Sequence, residues 1–195
     1  MRVPRIVTTD DWPEAELRGA VLAGELVAVG ECWASVAEPQ DPGLRAASFR
    51  WSVGDPRIIA CGLSATWIWG GSSRPPLPHD ACVEDGLRVR RRGAGRVREI
   101  ALHPADVVLV GGPVEGARVT TPVRTAVDLL RTVDPDDWAD RAEPVHGLLV
   151  ATGTAPTAVR ARLRALGTVP MVRQAERRLA GLELRAADGS GVSRR

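Results

Sequence analysis

The chain contains no lysine, no asparagine and no tyrosine, and it has a single phenylalanine. All 26 of its basic residues are therefore arginines. The missing types share AT-rich codons, so a GC-rich genome explains the bias more simply than a demand for guanidinium chemistry. Cysteine is scarce: Cys32, Cys61 and Cys82 are scattered and form no C-x-x-C pair. An odd, dispersed set excludes a disulfide framework and reads as reduced, intracellular thiols. No apolar run approaches the ~18 residues of a membrane span, and MRVPRIVTTDD turns acidic without an apolar h-region. Membrane and secreted readings are excluded on this basis, and a cytoplasmic location is expected.

Catalytic signatures are also missing. The chain has no G-x-S-x-G elbow and no phosphate-cradling P-loop. His79 and Cys82 stand at H-x-x-C spacing, but no second pair completes a tetrahedral metal site, so they read as an unrelated surface histidine and a buried thiol. His103 and His146 lie in other contexts. Gly71-Ser72, then Asp80 and Glu84-Asp85, loosely resembles a nucleotidyltransferase arrangement. That chemistry needs a Gly-Ser turn to grip a triphosphate and two carboxylates on alternate strand positions to hold metal ions. Cys82 stands where the second carboxylate belongs, and prolines crowd the spacer. A nucleotidyltransferase-like or nuclease-like enzyme is the least favoured reading. No catalytic residue, metal or cofactor is expected.

What is present suits a globular protein. With 195 residues, 44% hydrophobic and 26% charged, the chain fits one domain or a small module plus a larger one. It can bury roughly 70% of its unfolded surface, which removes any need for disulfides or metal. Net charge is +2 but uneven: residues 1–43 hold three arginines against eight carboxylates, a balance of −5, and the remainder carries +7. Polyanions should therefore be attracted to the later part of the chain.

Punctuation falls at EPQDPG (38–43), at GGSSRPPLPHD (70–80) and after Leu184, where the tail looks frayed. Before the first boundary, Pro13 to Leu26 reads as a short helix with Asp11 as N-cap. Val27, Val29 and Trp33 follow as a hairpin turning near Gly30, which together make the back half of a winged helix-turn-helix. Ile58–Ala60 reads as a strand and Ser64–Trp69 as a helix. From Ala81 to Val119 the pattern is β, including an arginine-rich hairpin turning at Gly93 and Gly95. Thr121 and Pro122 open a helix, Asp134-Pro135 caps another that Pro144 breaks or restarts, and Pro156–Leu166 and Pro170–Leu182 close the chain. The expected class is α+β: a winged-helix-like module over 1–43, an α+β domain with a helical C-terminus over 44–184, and a disordered tail over 185–195.

Two basic faces stand out. Arg88, Arg90, Arg91, Arg92, Arg96 and Arg98 crowd the expected hairpin, and Arg160, Arg162, Arg164, Arg173, Arg177 and Arg178 lie on the last helices. Each would add salt-sensitive affinity for an anionic partner, whether nucleic acid or an acidic protein.

Ser64, Ala65, Trp67 and Gly70, then Val119, Thr120, Thr121, Pro122, Arg124, Thr125, Asp128 and Leu129, carry a resemblance. Together with LAGELVAVGECWAS, they resemble the AbiEi-family antitoxins of type IV toxin–antitoxin systems, over most of residues 5–182. The resemblance implies an N-terminal winged helix on operator DNA and a C-terminal antitoxin domain that neutralises a nucleotidyltransferase-like toxin, with no catalysis. It makes Thr121, Pro122, Arg124, Thr125 and Asp128 a structural signature, Arg124 and Asp128 being spaced to pair on one helix. A stand-alone repressor using the C-terminal arginines is the alternative.

One departure from the family bears on DNA. Only Arg2, Arg5, Thr9 and Arg18 are available as phosphate contacts in the first module, whose helix and wing carry Glu14, Glu16, Glu25 and Glu31 where relatives place arginines. Repulsion of phosphates follows. The module is predicted to bind DNA weakly or not at all. A mobility-shift assay showing tight, salt-sensitive operator binding by residues 1–43 contradicts that prediction.

Overall fold

Residues 5–13 form an extended segment and a turn rather than a helix. A computed structural model of the chain describes residues 5–90, 92 and 96–190. Arg2, Arg91, Gly93, Gly95 and residues 191–195 of the expected tail lie outside the described residues. Asp11, expected to cap the first helix, instead accepts from the backbone N–H (2.9 Å) and hydroxyl (2.8 Å) of Thr8 and closes a turn. Helix α1 (Glu14–Leu22) starts from Pro13 without a side-chain cap. Strands β1 (Leu26–Val29) and β2 (Cys32–Ser35) form the expected hairpin around Gly30, whose φ of 62° suits glycine at the turn. Val7 adds to it by exchanging backbone bonds with Trp33 (2.7 and 2.9 Å).

The 38–43 boundary turns out to be a helix start. Asp41 accepts from Leu44 N–H (2.8 Å) and Pro42 fills the first helical position of α2 (Pro42–Val53). Leu44, Ala46, Ala47, Ser48, Phe49, Ser52 and Val53 are all buried, so α2 is covered nearly all round and shows no clear amphipathic stripe. The Ser48 hydroxyl donates to Val29 O (2.6 Å), fastening the hairpin to it.

The remaining strands make one mixed sheet. These are β3 (Ile59–Ala60), β4 (Asp80–Val83), β5 (Arg96–Glu99), β6 (Val107–Val110) and β7 (Ala117–Thr120), with α3 (Gly62–Ile68) between β3 and β4. Their order is β5-β4-β3-β7-β6. The arginine-rich hairpin is corrected here: residues 87–90 form no strand, and β5 lies parallel to β4. The alternation survives in burial, with Leu87 and Val89 packed on the core and Arg88 and Arg90 exposed. The order puts β5 and β6 on opposite edges, so the chain between them carries Ile100 and Leu102 beneath the sheet, against Ile59, Cys61 and Cys82. The other face, with Ala60, Ala81, Val83 and Val119, packs on Phe49, Trp67 and Ile68.

Four helices follow: α4 (Pro122–Leu130), α5 (Pro135–Thr152), α6 (Pro156–Ala165) and α7 (Val172–Ser190). Thr121 caps α4 and Asp134 caps α5, as expected. Pro144 neither breaks nor restarts α5, which runs through it. A helical proline leaves the carbonyl four residues earlier without its amide. That residue, Asp140, is exposed, so water can take the bond. The tail expected after Leu184 continues as helix to Ser190. Leu130, Val145, Leu148, Leu163 and Leu179 form this bundle's core, and Trp69 packs on both it and the sheet core. The protein is α+β with a helical C-terminus.

One ionic cluster clips sheet to bundle. Asp106, ending a 3-10 turn (Pro104–Asp106) just before β6, is 8% exposed. Its carboxylate accepts from Arg124 of α4 (3.1 Å) and Arg162 of α6 (2.9 Å), and its backbone O accepts from Thr121 N–H (2.9 Å). Arg124 also reaches Asp128 (2.8 Å), the pairing that the signature residues suggested. Burial pushes the Asp128 carboxyl above its ordinary value despite that guanidinium. Folding thus favours its protonated form, so its contribution weakens as pH rises through its titration. Asp106→Ala leaves Arg162 without a carboxylate and Arg124 with Asp128 alone, and is predicted to cost about 2–3 kcal/mol in urea unfolding. Asp128→Asn is expected to stay within about 1 kcal/mol of the parent.

Candidate partner-binding surface

The described arginines divide by whether the fold already supplies a carboxylate. In the N-terminal module, Arg5 pairs with Glu38 and, at 3.0 Å, with Asp41, and Arg18 pairs with Glu14 (2.7 Å). Hydrogen bonding to Asp41 is the largest influence holding the Arg5 pKa above its ordinary value. Thr9 sits exposed in the turn before α1. Neither described guanidinium of this module is unpaired.

The arginines near β4 and β5 are mixed. Arg92 stacks on Trp51 (4.6 Å to the ring centroid) and pairs with Asp10, whose carboxylate also accepts from Trp51 Nε1 (2.9 Å). Arg98 stands 3.7 Å from Asp80. Arg88 and Arg90 are exposed, and the Arg96 side chain lies outside what is described. On α6, Arg160 reaches Glu183 (2.5 Å) and Arg164 reaches Glu176 (3.8 Å), both on α7. These two tie helix to helix.

Helix α7 is different. Arg173, Arg177 and Arg185 are exposed and meet no carboxylate among the described residues. With Gly181 they stand four residues apart, a stripe along one helical face about 18 Å long. A Cβ built on Gly181 would touch nothing within 4 Å, so the stripe has open space at that step. Two clefts share Gln174 and Arg177: one of about 390 Å³ toward Trp138 and Arg185, and one of about 480 Å³ toward Thr168 and Met171.

Arg178, expected on the exposed basic face, is instead largely buried and forms the wall of the first cleft. It is 9% exposed, lies 4.9 Å over the Trp138 ring, and donates to Leu130 O (2.9 Å) and Thr132 O (2.6 Å). These carbonyls end α4, where the helix dipole is negative. Burial, with Arg141 nearby, lowers the Arg178 pKa. Its charge is met by carbonyls rather than a carboxylate, so it adds to the positive field of the cleft.

Other chemistry is poorly served. Among the described residues no group of three His, Cys, Asp or Glu side chains is placed to hold a metal. Asp80 Oδ2 accepts from Leu63 N–H (3.0 Å). Gly71 is wedged against α5, where an added Cβ would come within 2.6 Å of Leu148 N. The cysteines are buried, and burial pushes the Cys32 pKa up to about 12. Contact with Cys82, then burial, raises that of Cys61.

His79 is not the surface residue expected: it is 5% exposed, edge-on to Phe49 (5.1 Å between centroids). Ser64 Oγ accepts from Asp80 N–H (2.9 Å) and lies 3.0 Å from His79 Nδ1. The serine proton is best placed on that Nδ1, which puts the imidazole proton on Nε2. Nε2 has no partner among the described residues. Both side chains are sealed in the core, so the pair is closed to substrate.

No family model and no curated protein sequence matches the chain. Among solved structures it is similar to the crystal structure of the RV2827C protein from Mycobacterium tuberculosis. Identity is 19%, with 92% of this chain and 75% of that chain covered and a TM-score of 0.33. A likeness at that level assigns no function.

Burial lowers the His79 pKa below its ordinary 6.5, so the unfolded chain binds the proton more readily. Stability from this site is complete above about pH 6.5 and is lost as pH falls toward the folded value. Unfolding free energies measured between pH 7 and 5 should decline more steeply for the parent than for His79→Gln.

Proposed function

We propose that this chain is a non-enzymatic cytoplasmic regulator of the AbiEi antitoxin type, which neutralises a nucleotidyltransferase-like toxin by covering an acidic surface of it. The observation that supports this reading is the α7 stripe: Arg173, Arg177 and Arg185, uncompensated among the described residues, beside two clefts, one of them walled by Arg178 and Trp138. Charges left unpaired on a rigid helix steer an oppositely charged partner and suppress wrong ones. A cleft holding an aromatic ring gives that partner a place to bury an anchor. The signature Thr121, Pro122, Arg124, Thr125 and Asp128 serves the fold: Arg124 and Asp128 complete the Asp106 clip, and the Thr125 and Thr120 hydroxyls meet at 2.7 Å.

Operator DNA is the second reading, favoured by the same stripe, because a row of guanidiniums suits phosphates as well as carboxylates. The paired state of Arg5 and Arg18 moves that contact away from the N-terminal module.

The test is co-expression with the product of the adjacent reading frame. Arg173→Glu/Arg177→Glu should lose suppression of its toxicity and weaken binding at least about tenfold. Gly181→Glu, which adds a carboxylate to the stripe without a clash, should act in the same direction. Full suppression by both variants, with circular dichroism unchanged, overturns the proposal. Loss of operator binding alone selects the second reading.

A further inference from the structure

The acidic N-terminal module carries a groove whose chemistry is opposite to that of the α7 stripe. Val7, Leu17 and Leu26 give it an apolar floor, Trp12 stands at one wall, and Glu16 and Glu25 edge it, around a volume of about 310 Å³. Trp12 is 56% exposed, unusual for the largest apolar side chain. Its backbone is held, because the turn closed by Asp11 also bonds Trp12 N–H to Thr8 O (3.2 Å). Glu16 and Glu25 enter no ion pair among the described residues. Arg18, the basic residue of α1, is held by Glu14. Helical spacing turns that pair away from Glu16 and the groove.

We infer that this groove is a receptor for a cationic side chain, an arginine or lysine presented by a segment of a partner protein. Such a side chain is amphipathic: its methylene stem lies on apolar surface while its head seeks charge. Here the stem rests over Leu17 and Leu26. The head lies between Glu16 and Glu25 and against the Trp12 ring, where a cation is attracted by the aromatic face. Charge complementarity selects this occupant, since Glu16 and Glu25, which enter no ion pair among the described residues, repel phosphates and carboxylates. The module placed where a DNA reader is expected therefore takes a basic peptide, and the inference stands independently of the α7 stripe.

The test titrates the full isotope-labelled chain with acetyl-Leu-Arg-Leu-Arg-amide. The signal followed is the Trp12 indole N–H, identified among six tryptophans by its loss in Trp12→Phe. A saturable shift is expected, weakened about fivefold in Glu16→Gln/Glu25→Gln, the size of two exposed ion pairs. It should be weaker by about tenfold when citrulline replaces arginine in the peptide. No movement at millimolar peptide overturns the inference, as does an equal response to the citrulline peptide, which would mark a merely apolar groove. Movement of the Trp12 signal with protein concentration alone overturns it in favour of a second copy.

Discussion

Asp106 is the ionic point at which the sheet meets two helices of the bundle, beside the packing of Trp69 and Gly71 across the same boundary. The sheet, with α2 and α3, owns one hydrophobic core, and α4 to α7 own another. Trp69 packs on both and donates to Thr120 O at the end of β7 (2.9 Å). Apolar contact alone is non-directional, and the Trp69 hydrogen bond adds one fixed point to it. The Asp106 carboxylate supplies direction, with Arg124 and Arg162 converging on it from different helices while Asp128 balances the second guanidinium. In a partly buried site, such a cluster specifies geometry more than it adds stability.

This internal use of arginine decides what is left for partners. A chain whose cations are all arginine would seem to present basic surface everywhere, yet the fold assigns most of the described guanidiniums a task. Arg5 anchors the first strand segment to the α2 cap, Arg178 closes α4, and Arg160 and Arg164 join α6 to α7. Among the described residues, free positive charge stands along α7 and at Arg88 and Arg90, and Glu16 and Glu25 beside Trp12 enter no ion pair. Two surfaces of opposite sign at different ends of the chain suit a protein that touches more than one partner segment.

Local rules were legible in the sequence and distant pairings were not. Thr121-Pro122 and Asp134-Pro135 start helices where capping chemistry places them, and the hairpin turns at Gly30 because that position needs positive φ. Helix α2 stayed hidden because burial on nearly all sides removes the periodic stripe, and its Asp41-Pro42 cap reads equally as a loop. The arginine-rich segment alternates as a strand should, but β5 found β4 in parallel, a pairing local alternation cannot show. The candidate site was half visible. Arg173 and Arg177 are plain in the helical pattern, but that Arg160 and Arg164 are met by Glu183 and Glu176 depends on how α6 packs on α7. Nothing in the spacing of Asp106 and Arg162, 56 residues apart, announces their contact. Trp12 beside Glu16 and Glu25 likewise becomes a groove only once β1 returns alongside α1.

The division between engaged and free guanidiniums can be read directly from arginine side-chain magnetic resonance. In the unliganded chain, Arg124, Arg162 and Arg178 should give sharp guanidinium signals, protected from solvent exchange and insensitive to added salt. Arg173 and Arg177 should exchange rapidly. If Arg162 averages as freely as Arg173, or if Arg173 and Arg177 are found protected, the clip and the open face it leaves on α7 are both contradicted.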